Sequence, residues 1–554
     1  MERRSLLSRL AFLPLAGAAE GVVAAAGEGT RPSGASPPAP PGTALYPLTP
    51  AERARGITPV SYDYPELNVM RYGARGDGST DDAPAFQRAL DIAKVSGGTV
   101  YIPKPSAHYV IRAPLDLTPS REYSAGFGVR MEANPHFSVN SPRGAILLEH
   151  TSIGFDCTGN NALQFTDLCV AARAEQAPTV AFLIARNSSG ASVVHRFNNC
   201  RVYGHFSIAL YYNYGCEDDQ LVGCCFYNLS RQANSKTVVI TAKNIFGVSS
   251  PHAPIYSGSI STSHHHFCGG DYAHTGGRST SDVFYLDICS FLHLERLWVD
   301  CEHGRSIIFC DSTNGPSNNC TIFGMQVENG GAPEVGIAMP SPPRGRPTFV
   351  DWVIDACYFA NCGIILQAGT AITLASCKLR GVASTFRRGI EISGTAAYCT
   401  FDCDATPVNI GLAQQCILMG SVQNFALTTN QRCCFIDARP SRVWEPITAN
   451  LTVLSGGSIA LSAVNSNVIG NQVEVTFTMQ PSTAMYCGAG TVVGGLPFPP
   501  MSGRGGIVAV TDGTAGVAIG LGHIGEQGIQ LPAIASAAAP TSHAICVTAR
   551  YFIA

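Results

Sequence analysis

The sequence has few charged residues and almost no net charge. Charged residues make up 14% of its 554 residues, against roughly 25% in ordinary soluble domains, and the formal net charge is −3. Such a chain creates no general field that would attract nucleic acid or an anionic membrane. Nucleic acid is therefore not expected as a partner, and an acidic ligand would have to be held by local arginine and histidine side chains.

The sequence also lacks a run of about 20 apolar residues beyond its N-terminus, so no membrane span is predicted. Residues 1–26 carry Arg3 and Arg4 before an apolar stretch, which predicts an export signal of the twin-arginine type and a periplasmic or extracellular location. A frayed N-terminal helix is the alternative. Residues 27–60 are rich in Gly, Pro, Ser and Ala and are predicted to be a disordered linker.

The 21 cysteines lack the paired C-x-x-C spacing of a zinc site, and a disulfide scaffold is not expected in a chain of this size. Several cysteines recur at intervals of 21 to 24 residues, which predicts small buried residues at equivalent positions in successive turns of a solenoid. Zinc binding is the alternative, but no bound metal is expected. The recurring pairs are Cys200 with Cys224, Cys289 with Cys310, and Cys377 with Cys399.

Short β-branched and aromatic runs, separated by Gly, Asn, Asp and Ser, fill most of the region from residue 144 to residue 437. Helical spacing almost vanishes there, and the chain is longer than one hydrophobic core usually serves. We predict an all-β fold in which residues 61–440 form a parallel β-helix. An array of β-sandwiches is the structural alternative. Representative runs are residues 193–197, 294–299, 321–327 and 349–354.

A distinctive segment precedes these runs. Residues 68–82 read NVMRYGARGDGSTDD, and the pattern that follows places Phe86, Ala89, Leu90 and Ala93 on one face of a helix. N-cap candidates for this helix are Ser79, Thr80 and Asp81; Gly97 and Gly98 end it, and a strand restarts at residues 99–102.

This order and spacing resembles the N-terminal segment of the pectate-lyase-like superfamily, which includes polygalacturonases and phage tailspikes. The resemblance implies a right-handed parallel β-helix whose N-terminal end is covered by the helix. Such a cap has its own physical rationale, because the end of a strand stack would otherwise expose unpaired backbone and apolar interior.

The C-terminal region, residues 441–554, has a different pattern. Val473, Val475, Phe477 and Met479 alternate with polar residues, and residues 545–549 alternate again, which predicts antiparallel strands with one buried face. The region is similar to the terminal β-sandwich of phage tail fibres and tailspikes, and that similarity implies a homotrimer. A carbohydrate-binding module would show the same alternation.

The segment from residue 264 to residue 328 is the stretch richest in groups with acid–base chemistry, including His293 and Glu295. If these residues lie on successive turns, they line one cleft for an extended polymer. The predicted catalytic residues are His264, His266, Tyr272, Asp300, Glu302, His303 and Arg305. The predicted substrate-binding residues are His265, Asp271, His274, Arg278, Arg296, Glu328 and Tyr214.

We expect a polysaccharide lyase acting on an acidic polymer of the galacturonate or N-acetylgalactosaminuronate type, such as a Vi-like capsule. In β-elimination a base removes the proton beside a uronate carboxylate while a cation neutralises that carboxylate. The expected roles are base for His264, His266 or His303, carboxylate binding for Arg278 or Arg305, and proton donation for Tyr272.

Other interpretations stay open. An inverting hydrolase needs two carboxyl groups about 6.5–9.5 Å apart, which Asp300, Glu302 and Glu328 could supply; the Asn-x-Asp, Asp-Asp and Gly-His-Gly signatures of polygalacturonases are not recognisable, however. A non-catalytic, tailspike-like polysaccharide binder is a third hypothesis. Asp300 and Glu302 could instead form surface ion pairs with Arg296 and Arg305. No cofactor is predicted, although the sequence leaves open whether calcium bridges protein and substrate.

Overall fold

The computed structural model describes most of residues 45–552. Within this range the description excludes residues 120–125, 133–143, 189, 252–259, 261, 278–279, 328–334, 344, 361, 363, 385–388, 403–406, 420–424, 432, 437–444, 448–451, 456–459, 470–471, 481–491, 495, 497–505, 513–516, 526–527 and 532–544. The predicted export signal, residues 1–26, lies outside the described residues.

Parallel strands from successive turns pair along most of the chain, which confirms the predicted β-helix. The first sheet has 21 strands: Thr99–Ile102, Tyr109–Ile111, Gly128–Met131, Ile146–Leu148, Gln164–Thr166, Cys169–Ala172, Arg196–Asn198, Arg201–Gly204, Gln220–Asn228, His266–His274, His293–Glu295, Trp298–Cys301, Thr321–Phe323, Gln326–Val327, Val353–Asp355, Tyr358–Phe359, Lys378–Arg380, Ala383–Ser384, Thr400–Asp402, Ile417–Met419 and Cys434–Ile436.

Two further parallel sheets complete the turns. The second sheet has 14 strands: Leu115–Asp116, Ile153–Asp156, Val180–Ala185, Ile208–Asn213, Lys236–Thr241, Asp282–Asp287, Ser306–Asp311, Val335–Met339, Thr348–Val350, Ile364–Ala368, Thr373–Ala375, Ile390–Ala397, Val408–Gln414 and Phe425–Gln431. The third sheet has four strands: Ser192–Val193, Cys216–Glu217, Thr262–Ser263 and Cys289–Ser290.

The first sheet consists of two columns of strands that meet at a bend. Strand His266–His274 belongs to both columns. Its first three residues pair with His293–Glu295 in the first column, and its last four residues pair with Trp298–Cys301 in the second column. We call the outward sides of these columns the first face and the second face. The outward side of the second sheet differs from these two faces because it carries apolar side chains, which Phe246 and Val248 cover.

The bend requires one residue with left-handed backbone in each turn. Eight successive turns have such a residue, with φ between 51° and 65°. The runs at residues 294–299 and 321–327 are therefore each two strands separated by this bend. The runs at residues 193–197 and 349–354 are also divided between two strands, which belong to different sheets. The eight residues are Asp167, Asn199, Gly223, Gly269, Arg296, Gly324, Ala356 and Gly381.

The predicted helix near the N-terminal end is confirmed as Ala83–Ser96, and its four predicted core residues are buried against the neighbouring strands. The N-cap prediction was wrong: Asp82 occupies that position and makes no side-chain capping bond. Its carboxylate instead accepts hydrogen bonds from the backbone N–H groups of Arg75, Gly76 and Val110, which fastens the preceding loop to a strand.

The end of the predicted linker is ordered, which corrects the prediction of disorder up to residue 60. Helix Pro50–Arg55 begins with a capping box formed by Thr49 and Glu52. Glu52 is buried and also accepts hydrogen bonds from Arg71 and Tyr72, within the short 3-10 helix Val69–Tyr72. This buried ion pair, together with Ala51 and Ile57 packed against the core, attaches the segment to the rest of the fold. A second 3-10 helix spans Ala174–Gln176, and neither described α-helix is long and apolar enough to cross a membrane.

Two of the three cysteine pairs that were predicted to occupy equivalent positions in successive turns do so. Cys200 and Cys224 precede paired residues, as do Cys377 and Cys399, so both pairs occupy equivalent interior positions as predicted. The pair Cys289 and Cys310 was wrong, because these residues lie in different sheets. Every cysteine that the structure describes is a free thiol.

The C-terminal strands form a nine-stranded antiparallel sheet, as their alternation predicted, and Val473, Val475 and Phe477 are buried on one side. A homotrimer stays a prediction. The strands are Glu445–Ile447, Thr452–Ser455, Ala460–Ile469, Gln472–Gln480, Val492–Gly494, Ile507–Asp512, Val517–Gly525, Gly528–Gln530 and Ile545–Phe552.

Candidate functional site

The first face gathers ionisable side chains from two neighbouring turns. His266 pairs with His293 and Cys268 pairs with Glu295, while Phe267 between them points into the core. Because side chains alternate along a strand, these four residues form a two-by-two patch on one surface. Strand pairing therefore brings together groups that are 27 residues apart in the sequence.

Close contacts link the members of this patch. Nε2 of His266 lies 3.3 Å from Oε2 of Glu295, and the imidazole rings of His266 and His293 are 5.9 Å apart. The other carboxylate oxygen of Glu295 lies 3.6 Å from Nε of Arg296. Burial, and then the neighbouring imidazoles of His266 and His264, lower the pKa of His293. Arg296 stands at the bend with 72% of its side chain exposed.

The second face continues the same two turns with carboxylates and aromatic rings. Asp271 pairs with Trp298, and Ala273 pairs with Asp300, so the two carboxylates are one strand and two residues apart. The hydroxyl of Tyr227, on the preceding turn, donates a hydrogen bond of 3.3 Å to Asp271. Burial and the charge of Asp271 raise the pKa of Tyr227.

Exposed aromatic side chains lie in the same row of the second face. Trp298 is 43% exposed, and Tyr358 follows two turns later at 38%. Flat apolar surfaces of this kind suit the faces of sugar rings. Neither aromatic residue was predicted. Because side chains on a strand alternate, the residue before a buried position points outward. Applied to the apolar residues Val299 and Phe359, this rule would have identified both aromatic residues.

Four predicted site residues lie in the interior, which contradicts their predicted roles. Because strand residues alternate, a position next to an outward side chain points into the core. Tyr272 stacks on Phe226, 5.8 Å between centroids, and cannot protonate a polymer outside. The buried residues are His265, Tyr272, His274 and Tyr214.

The two buried histidines, His265 and His274, have lowered pKa values because they are buried. Burial lowers the pKa of His265 to about 3 and that of His274 to about 4, so both are neutral near pH 7. The ring of His265 stacks on Tyr212 at 4.5 Å, and Nδ1 lies 3.8 Å from the buried carboxyl group of Asp219. Both histidines therefore belong to the solenoid interior rather than to a substrate cleft.

Glu302, His303 and Arg305 lie beyond the second column, at the turn toward the second sheet. Nε and Nη2 of Arg305 donate to the buried carboxylate of Asp282 at 3.0 and 2.6 Å, and its guanidinium lies 3.2 Å from the ring centroid of Phe309. The Nε/Nη2 edge of the guanidinium is therefore occupied, and a substrate carboxylate could be bound only through Nη1 and Nη2. The role of Arg305 stays a prediction.

Arg296 and Arg305 were predicted to form surface ion pairs with Asp300 and Glu302. In the structure Arg296 contacts Glu295, and Arg305 contacts Asp282. His264 is exposed at the corner before the first column, where its ring stacks on Phe291 at 4.6 Å. Arg278 and Glu328 lie outside the described residues. Four predicted residues thus share the adjoining faces: His266, Asp271, Arg296 and Asp300.

Comparison with known proteins supports the fold. Residues 67–121 match the family described as "Rhamnogalacturonase A/epimerase, pectate lyase-like". A segment of 39 residues is 59% identical to Alginate lyase 7 of Azotobacter vinelandii and covers 7% of this chain but 5% of that relative.

Two solved structures align with this chain at low sequence identity and low TM-score. The surface adhesin PfbA of Streptococcus pneumoniae aligns at 13% identity with a TM-score of 0.43, covering 66% of this chain and 97% of that one. The tailspike protein gp49 of Pseudomonas phage LKA1 aligns at 10% identity with a TM-score of 0.41, covering 88% of this chain and all of that one (100%). Residues 67–121 thus match a pectate-lyase-like family, and the parallel pairing of successive turns shows that the chain folds as a parallel β-helix followed by an antiparallel C-terminal sheet.

Proposed function

We propose that this chain is a polysaccharide lyase that cleaves an acidic, uronic-acid-containing polymer across the first and second faces. The observation that carries the proposal is an exposed imidazole, His293, at the start of strand His293–Glu295 and an exposed guanidinium, Arg296, just after its end, on a surface continued by Trp298. The short segment shared with an alginate lyase supports the same reaction class.

The arrangement provides the groups that β-elimination needs. Arg296, with 72% of its side chain exposed, is accessible to a uronate carboxylate, and an ion pair with that carboxylate favours loss of the neighbouring proton. His293 accepts that proton, and the imidazolium then protonates the leaving glycosidic oxygen. Trp298 supports a sugar ring on the adjoining face. The predicted export signal fits a polymer outside the cytoplasm.

A second candidate, an inverting glycoside hydrolase, is favoured by the pair Asp271 and Asp300. Strands about 4.8 Å apart and residues about 3.3 Å apart along each strand put the Cα atoms of these two residues about 8 Å apart on one face. Inverting hydrolases hold their two carboxyl groups about 6.5–9.5 Å apart. Tyr227 orients one of the two through its hydrogen bond.

One assay separates these functions. The purified chain is incubated with defined polymers of galacturonate, mannuronate, guluronate and N-acetylgalactosaminuronate, and near-ultraviolet absorbance is measured together with new reducing ends. Elimination raises both signals, because it leaves an unsaturated uronate. New reducing ends without an absorbance rise would replace the lyase by the hydrolase. Binding without chain shortening on every polymer would leave a non-catalytic polysaccharide binder.

A further inference from the structure

Three side chains of the first face converge in a way that neither proposed reaction uses. The ligand atoms of His266, Cys268 and Glu295 all lie within 4.8 Å of one another. In the described part of the chain, no other group of three or more His, Cys, Asp or Glu side chains converges in this way. The three come from two paired strands, two residues apart on one strand and directly opposite on the other.

The distances fit a small divalent ion. Ligands 2.0–2.1 Å from a tetrahedral zinc ion are about 3.3 Å apart, and Nε2 of His266 lies 3.3 Å from Oε2 of Glu295. Because the ligand atoms lie within 4.8 Å of one another, the thiol of Cys268 has to approach by at most about 1 Å to bind the same ion at about 2.3 Å. An imidazole, a thiol and a carboxylate suit zinc better than calcium or magnesium, which prefer oxygen ligands.

The surroundings hold this group in place. Phe267 and Leu294, between the converging residues, are buried in the core and fix both strands. Arg296 contacts Oε1 of Glu295 and leaves Oε2 directed toward His266. All three side chains are partly exposed, so an ion can enter from solvent. Among the described residues no fourth His, Cys, Asp or Glu side chain joins this set, so a water molecule would complete a tetrahedral site.

We propose that His266 Nε2, Cys268 Sγ and Glu295 Oε2 bind one zinc-type divalent ion on the first face, with its fourth position open to solvent. A metal at this position differs from the expectation, drawn from the sequence, that the chain binds no metal. It goes beyond the proposed function and does not depend on it, because binding can be measured without any substrate.

The test is a titration of the reduced, metal-free full chain with Co²⁺, followed by displacement with Zn²⁺. We expect one equivalent of Co²⁺ to produce the visible bands of a tetrahedral site and a near-ultraviolet thiolate-to-metal band. Cys268→Ser removes the thiolate band and weakens binding at least 100-fold, and Glu295→Gln weakens it about 10-fold. Cys225→Ser is the matched control, since Cys225 is a partly exposed thiol on the second face, and it should bind as the wild type does.

Thermal unfolding gives a second readout that does not depend on colour. Zn²⁺ should raise the Tm of the wild type and of Cys225→Ser but not that of Cys268→Ser, because only a protein with the site gains from binding. His266→Gln replaces Cys268→Ser if the latter does not fold. Equal titrations for the wild type and Cys268→Ser, or no uptake of either metal by the reduced wild type, would overturn the proposal.

Discussion

His265 and His266 are neighbours in the sequence, yet they lie in opposite environments. The side chain of His265 is fully buried and stacks on Tyr212, whereas 36% of the side chain of His266 is exposed beside Glu295. The same contrast separates Tyr272 in the core from Asp271 on the second face. In this fold, one step along a strand decides whether a polar residue supports the interior or meets a ligand.

The largest expected effect on activity comes from removing His293, the proposed base on the first face. His293→Ala should lower the elimination rate at least about 100-fold while changing the free energy of unfolding by less than about 0.5 kcal/mol, because the side chain is exposed. The measurements are initial rates by near-ultraviolet absorbance and urea unfolding. His205→Ala, on an earlier turn and outside both faces, is the control. A variant that keeps full activity would remove His293 from the mechanism.

Substitutions in the interior should change stability rather than activity. Tyr272→Ala leaves a cavity among Phe226, Phe267 and Phe284 and should cost about 3–5 kcal/mol of unfolding free energy. Tyr272→Phe removes a buried hydroxyl that has no hydrogen-bond partner among the described residues, so stability should stay equal or rise by about 1 kcal/mol.

The second variant also tests chemistry, because turnover by Tyr272→Phe should match that of the wild type. A large loss of turnover in a folded Tyr272→Phe protein would restore this tyrosine as proton donor and break the comparison between interior and surface.

The buried histidine should make the protein sensitive to acid. Burial lowers the pKa of His265 from 6.5 to about 3, so between these pH values the unfolded chain binds a proton that the folded chain does not. Stability contributed by this group is complete above pH 6.5 and falls by about 1.4 kcal/mol per pH unit down to about pH 3. His265→Phe should reduce the slope of unfolding free energy against pH by one proton, whereas Tyr212→Phe should keep it. Equal slopes in both variants would show that His265 is charged in the folded state.

The smallest effect concerns the aromatic surface. Trp298→Ala should weaken polymer binding about fivefold, because it removes about 1 kcal/mol of apolar contact without touching the reacting groups. Tyr398→Ala, which removes an exposed aromatic ring outside both faces, should leave affinity unchanged. Binding measured by calorimetry with an uncleaved oligosaccharide distinguishes the two, and equal affinities for both variants would place the polymer elsewhere.

The parts of the fold with local signals could be predicted from the sequence. The apolar face of helix Ala83–Ser96 follows from its spacing, and the antiparallel C-terminal strands follow from alternation around Val473 and Val475. The candidate site was only partly predictable. His266 and Asp271 were found from residue type, but so were His265 and Tyr272, because residue type does not tell which way a side chain points when the bend at Gly269 is not anticipated.

By itself the sequence determined the class of fold, since short strands, turn residues and a capped end can be recognised locally. Only the tertiary structure decided which residues meet across turns. Successive positions in the first column, from His266 through His293, Thr321 and Val353 to Lys378, are separated by 27, 28, 32 and 25 residues. Because the connecting loops differ in length, no fixed period in the sequence reveals this register, and hydrogen bonding between stacked strands alone places His266 and Cys268 beside Glu295.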